Sequence, residues 1–191
     1  NARFFCEIDM DNLFQPLNFK RGPSMKNRFM LAPLTNSQSH DDGVLSDDEF
    51  NWLTMRAKGG FGLTMTCAAH VQANGQGFPG QLGIFDDKHL EGLKRLVDAI
   101  KREDSVAICQ LHHAGMRSPV EIIKQPPVCP SDSEELGARA LLQGEVEEVV
   151  HDFIAAANRA EQAGFDGVEL HGAHGYLLCQ FFSEETNRRE D

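Results

Sequence analysis

No apolar run in the 191 residues approaches the roughly 18 that a membrane-spanning helix needs. No basic block interrupts the formal net charge of -11, so phosphate-dense partners such as nucleic acid are disfavoured by repulsion. The five cysteines (Cys6, Cys67, Cys109, Cys129, Cys179) never form a CxxC pair. Neither a zinc ribbon nor a disulfide scaffold is indicated, and reduced thiols in a cytoplasmic protein are expected. The opening "NARFFCEIDMDNLF" lacks the basic start and small-residue cleavage site of a signal peptide. GxSxG, Walker A and HExxH motifs are all missing, which weakens hydrolase and nucleoside triphosphatase readings. Internal repeats are absent too. What remains is 41% hydrophobic and 25% charged, the balance of one globular domain over 1–191.

Four short apolar runs punctuate the chain: "FMLAP", "FGLTMTCAAHV", "VAICQL" and "FDGVEL". Runs of this length without polar alternation suit strands buried on both faces of a parallel sheet. Helical patterns separate them. Ser46-Asp47-Asp48-Glu49 reads as a capping box, with Phe50, Leu53 and Ala57 following at helical spacing before Gly59-Gly60. "DDKHLEGLKRLVDAIKRE" sets Leu93, Leu96, Val97 and Ile100 on one stripe, and the helix ending at Gly164 does the same with Val146, Val149, Val150, Phe153, Ile154 and Ala157. All these stripes are expected to be core. Strict alternation of strand and helix predicts right-handed βαβ units. Before the first strand, "RGPS" suits a hairpin turn. Residues 112–143 read as a long insertion, the kind of loop that is often functional or mobile.

Several motifs carry potential chemistry. Gly75-Gln76-Gly77-Phe78-Pro79-Gly80 matches GxGxxG, but Pro79 lies inside it and no helix follows directly. An ordered glycine-rich loop is therefore expected rather than a dinucleotide fingerprint. "HGAHGY" places His171, His174 and Tyr176 in the turn after the last apolar run. Three-residue spacing can seat two imidazoles on one metal, yet no third ligand has a diagnostic spacing, and no metal is expected. In barrels and open α/β sheets the active site lies beyond the carboxyl ends of the strands, where His171 falls. Thr35 and Gln110 occupy the same position on other runs, and His112-His113 follow Gln110 closely. A buried amide needs partners, which for Gln110 could be a flat ligand such as a flavin pyrimidine ring or a neighbouring loop.

Taken together, "KNRFMLAPLT", "RAKGGFGLTMTCA", "GFPGQLGIFDDKHLEGLK", "QLHHAGMR", "PSDSEE" and "AGFDGVELHGAHGYLLCQFFSEETNRRED" make the chain resemble the old yellow enzyme group of FMN-dependent, NAD(P)H-using ene-reductases. The resemblance implies an α/β fold, the TIM (β/α)8 barrel, with FMN at the carboxyl ends of its strands. It implies that Ala32, Pro33, Leu34 and Thr35 wrap the flavin, that Ala68 touches it through backbone, and that Gln110 bonds its pyrimidine edge. His171 and His174 would hold the oxygen of an α,β-unsaturated carbonyl or nitro compound, where two N–H donors stabilise developing negative charge. Tyr176 would protonate the substrate carbon. NADH or NADPH would supply the hydride, which the flavin passes to the alkene.

A complete barrel of this type needs roughly 250 residues. The chain is therefore expected to be the N-terminal part of an FMN-binding barrel: about four βα units preceded by a β-hairpin. The missing half would include an arginine near the flavin and the glycine-rich loops for its phosphate. Two strand edges and one sheet face would be left uncovered. Two alternatives stay open: an inactive half-barrel stabilised by self-association as a homo-oligomer, and a metal-dependent barrel hydrolase.

Overall fold

A computed structural model describes residues 10–191, and residues 1–9, Cys6 among them, lie outside the described residues. In chain order the elements are α1 (Met10–Leu13), β1 (Met30–Leu31), α2 (Asp47–Lys58), β2 (Leu63–Met65), β3 (Ala69–His70), α3 (Leu90–Arg102) and β4 (Val106–His112). There follow α4 (Val120–Ile123), β5 (Val128–Cys129), β6 (Arg139–Ala140), α5 (Gln143–Ala163), β7 (Gly167–Leu170) and α6 (Leu177–Phe182). No helix among the described residues is long and apolar enough to cross a membrane.

The spine is a parallel sheet in which β1, β2, β4 and β7 lie side by side in sequence order, while β3 extends the pairing along β4. Met30 stands opposite Leu63, Leu63 opposite Val106, and Ile108 opposite Gly167. Each expected apolar run contributes a strand, so all four carboxyl ends face the same way. Helices α2, α3 and α5 pack along the sheet and enclose a core that includes Leu53, Leu96, Ile100, Leu111 and Phe153.

Local chemistry explains the helices. Ser46 Oγ accepts the Glu49 N–H at 3.1 Å, and acidic Asp47, Asp48 and Glu49 occupy the first turn of α2 while Arg56 and Lys58 occupy its last. Both ends oppose the helix dipole favourably. Every residue of the predicted α3 stripe is buried. On α5 the stripe is displaced. Val149 and Phe153 are buried together with Ala156, Ala160 and Ala163, but Val150 and Ile154 are each 54% exposed. Gly164 closes α5 in the left-handed conformation (φ 93°), where a glycine avoids the Cβ clash.

Three expectations need correction. The hairpin around Gly22 reduces to one antiparallel bridge, Leu17 with Met25, closed by two backbone bonds of 2.9 Å. Pro23 falls at the next hydrogen-bonded position and has no N–H to extend the ladder. The apolar runs are not all buried on both faces. β4 is nearly enclosed, whereas Met30 on β1 is 48% exposed and Leu170 on β7 is 58% exposed. The cause is pairing: β1 and β7 end the sheet and have a strand on one side only. Finally, 112–143 is no featureless loop. It holds a 3-10 turn at Gly115–Arg117, α4, and the small parallel pair β5–β6.

Candidate active site

Beyond the carboxyl ends of the strands lies an open cavity of about 460 Å³. Pro33, Leu34 and Thr35 reach it from the segment after β1, Ala68 from the stretch between β2 and β3, and Gln110 from β4. His171, His174 and Tyr176 reach it from the turn after β7. Eight of the nine residues singled out from the sequence thus share one cavity; Ala32 does not line it. Phe78, Glu169, Leu170, Gly172 and Ala173 also line the cavity and were not singled out. Glu169 had a readable signal, since it is a charged residue inside an otherwise apolar run near a strand end. Phe78 had none beyond its glycine-rich loop.

The HGAHGY turn is built by the backbone. His171 N–H donates to Leu111 O at 3.0 Å, continuing the β7–β4 pairing by one residue. The chain then reverses through two left-handed residues, His174 (φ 56°) and Gly175 (φ 66°). Such a conformation is uncommon for a non-glycine residue, though histidine is among those more often found there. It persists because its surroundings over-determine it. Tyr176 N–H donates to Ala173 O at 3.2 Å, buried Gln180 donates to Gly175 O at 2.7 Å, and the Arg117 guanidinium donates to His174 O. Tyr176 then opens α6, whose Leu177 N–H is anchored on His113 O at 3.0 Å.

Three aromatic rings meet edge to face. The His171 and His174 centroids are 5.1 Å apart, and His171 and Tyr176 are 5.0 Å apart. His171 Nε2 and His174 Nδ1 approach to 3.3 Å, so one of them carries the shared proton. Burial, reinforced by the neighbouring His174, pulls the His171 pKa below its ordinary value, and the ring is neutral near pH 7. Beneath them His112 is fully buried, with its ring 4.3 Å from Tyr176 and nearly perpendicular to it. Gln81 Nε2 donates to His112 Nδ1 at 2.9 Å and to Ala68 O at 2.8 Å. That leaves the proton of neutral His112 on Nε2. The Arg117 guanidinium carbon lies 4.9 Å from the Tyr176 ring centroid. In the sequence His112 reads only as a polar strand end, and Arg117 carries no site signal of its own.

Gln110 is held by a neighbouring strand rather than by a loop. Its Nε2 donates to Glu169 Oε1 at 2.7 Å, across the β4–β7 pairing. Gln110 Oε1 and the Thr35 hydroxyl take part in no hydrogen bond among the described residues, and both residues border the cavity. An amide oxygen and a hydroxyl without partners, beside an amide N–H held by a carboxylate, suit the edge of a flat heterocycle that alternates donors and acceptors. FMN fits that donor set. Among the described residues no three His, Cys, Asp or Glu side chains converge as a metal site would require.

Parallel strands in sequence order, with a cavity of mixed polar and apolar lining at their carboxyl ends, have the arrangement of part of a (β/α)8 barrel. The sequence profile of the NADH:flavin oxidoreductase / NADH oxidase family matches residues 12–191, and the chain belongs to that family. It is 44% identical over 183 residues to the probable NADH-dependent flavin oxidoreductase YqiG of Bacillus subtilis (strain 168), covering 94% of this chain and 49% of YqiG. The structure of an old yellow enzyme homologue from Zymomonas mobilis superposes with a TM-score of 0.87 at 32% identity, over 94% of this chain and 54% of that one. Morphinone reductase in complex with tetrahydroNAD matches over the same shares, with a TM-score of 0.85 and 32% identity. The chain thus spans about half the length of these relatives.

Proposed function

We propose that this chain supplies the flavin-facing and substrate-facing half of an FMN-dependent oxidoreductase that reduces activated alkenes, such as α,β-unsaturated carbonyl or nitro compounds, at the expense of NADH or NADPH. The observation that carries this proposal is the convergence of Thr35, Ala68, Gln110, His171, His174 and Tyr176 on one cavity. Bound FMN would relay hydride from the nicotinamide to the alkene. Pro33, Leu34, Thr35 and Ala68 would form its cradle, and Gln110 would hold its polar edge. His171 and His174 present N–H groups to the substrate oxygen once one ring turns its proton from its neighbour to the ligand. Those donors stabilise negative charge as it develops on that oxygen. Tyr176, braced between His112 and Arg117, delivers a proton to the substrate carbon.

Flavin absorbance of the purified protein, together with enone-dependent oxidation of NADH or NADPH, tests this directly. A full-length enzyme that stays colourless and cannot be reconstituted with FMN would overturn it. The second reading, a half-barrel held by self-association, draws on the apolar groove between α5 and α6. There Val150, Ile154, Leu170 and Phe182 are 54%, 54%, 58% and 80% exposed. Sedimentation of the chain as a monomer, without bound flavin or loss of solubility, would dismiss it.

A further inference from the structure

Glu49 begins α2 as a capping box requires, because Ser46 Oγ accepts its backbone N–H. The return bond of such a box, from the Glu49 carboxyl to the Ser46 N–H, is not made. The side chain turns inward instead and is fully buried. Oε1 accepts from Asn36 Nδ2 at 3.2 Å and from the Cys67 thiol at 3.1 Å, and Oε2 accepts from the Ser39 hydroxyl. None of the ion pairs among the described residues includes it. A carboxylate taken out of water without a counter-ion is costly and survives only when its oxygens are fully hydrogen-bonded. Helix capping alone needs no such arrangement.

The three donors come from two separate segments of the cavity wall. Asn36 directly follows Thr35, and Cys67 directly precedes Ala68. The segment carrying Thr35 has no regular structure and turns through left-handed Ser37 (φ 54°). Its other ties are few: Ser39 N–H to Gly80 O at 2.9 Å, Gln38 N–H to Asn36 Oδ1 at 3.1 Å, and the Ser46 hydroxyl to Gln38 O at 2.5 Å. We propose that Glu49 is the positioning residue of the cofactor cradle, fixing the Thr35 segment and the Ala68 segment against each other through one buried carboxylate. This rests on the cavity taking FMN as proposed above, and the experiment separates the two.

In the full chain, Glu49→Gln keeps the shape of the side chain but presents an N–H where a donor already points. Amide hydrogen exchange should quicken at 34–39 and at 66–69 together, with or without flavin. FMN affinity should fall roughly tenfold, the weight of one hydrogen bond to a charged group. The visible circular dichroism of bound flavin, which senses the asymmetry of its cradle, should change as well. Should Glu49→Gln fail to fold, Ser39→Ala and Cys67→Ala each remove one tie and should loosen 34–39 and 66–69 respectively. Exchange that quickens only at the start of α2, with FMN affinity and dichroism unchanged, would reduce Glu49 to a capping residue and overturn the proposal. Unchanged exchange at both segments would do the same. If the unsubstituted chain binds no FMN, the proposed function fails instead, and exchange without flavin still decides the role of Glu49.

Discussion

Lowering the pH from about 7 to about 5 should unfold the protein through its buried histidines, before its carboxylates are protonated. His70, His89, His112 and His113 are at most 2% exposed, and burial favours the neutral ring in each. His70 Nδ1 donates to Gln72 O at 2.9 Å, while its Nε2 has no partner. His112 Nδ1 accepts from Gln81 and His113 Nδ1 accepts the Gly115 N–H at 3.0 Å. A second ring proton would be an orphan on His70 and on His89, whose ring nitrogens both lack partners among the described residues, and would break an existing bond on His112 and His113. Burial, the leading cause, brings their pKa values from 6.5 down to about 4, about 4, about 2 and about 3. Because the folded values are depressed, the unfolded chain binds more protons below pH 6.5. Stability is therefore complete above that pH and is lost as the pH falls through the window between 6.5 and 4. Four such groups, each giving up to about 1.4 kcal/mol per pH unit, remove roughly 6 kcal/mol by about pH 5.5 and roughly 8 by about pH 5. That is comparable to the whole stability of an ordinary domain, about 5–15 kcal/mol. The carboxyls with lowered pKa, Asp42, Glu145 and Asp191, act only at lower pH. Urea unfolding followed by circular dichroism from about pH 7.5 to about pH 5 should give a slope that approaches about four protons at the acid end. A slope below one proton across that range, or stability lost only below about pH 4, would refute the argument.

Tyr176→Phe keeps the ring between His112 and Arg117 and removes a hydroxyl that makes no hydrogen bond among the described residues, so stability should barely change. Stopped-flow flavin absorbance should show reoxidation by an enone slowed about 10²–10⁴-fold, the usual weight of general acid catalysis, with reduction by NAD(P)H nearly intact; equal losses in both halves would contradict the role. His171→Ala with His174→Ala should weaken phenol-like and enone ligands about 10–100-fold in a flavin-perturbation titration. Unchanged affinity in that double variant would remove the clamp. Gln110→Leu strips Glu169 of its described partner and takes the amide from the cavity edge. It should lower FMN affinity about tenfold or more by fluorescence titration, and full retention of affinity would show that the edge is held elsewhere.

Residues whose environment is local were readable before the fold was. The α3 stripe is buried at every expected position because Leu93, Leu96, Val97 and Ile100 face the sheet whatever lies beyond it. The site residues sit at strand ends, where a polar side chain interrupting an apolar run has a geometric meaning that survives folding; their roles came from the family resemblance. On α5, periodicity marks an apolar face but not whether a neighbour covers it, and Val150 and Ile154 are left half in solvent. The runs forming β1 and β7 have the composition of central strands, yet their burial depends on pairing that sequence does not encode locally.

Glu49 is the sharpest case. Ser46-Asp47-Asp48-Glu49 reads the same whether its carboxyl returns to Ser46 or turns inward, and local propensity favours the return. The inward choice is made by Ser39, Asn36 and Cys67, which lie 10, 13 and 18 residues away along the chain. Three donors outbid one because a buried carboxylate must have its lone pairs filled, and a single exposed cap bond cannot do that. His112 follows the same rule: its tautomer is dictated by Gln81, 31 residues distant. Side chains whose state is set by distant donors are the ones a motif misreads. They are also the ones that brace Thr35, Ala68 and Tyr176, so the machinery around this cavity is least visible in the sequence where it is most constrained by the fold.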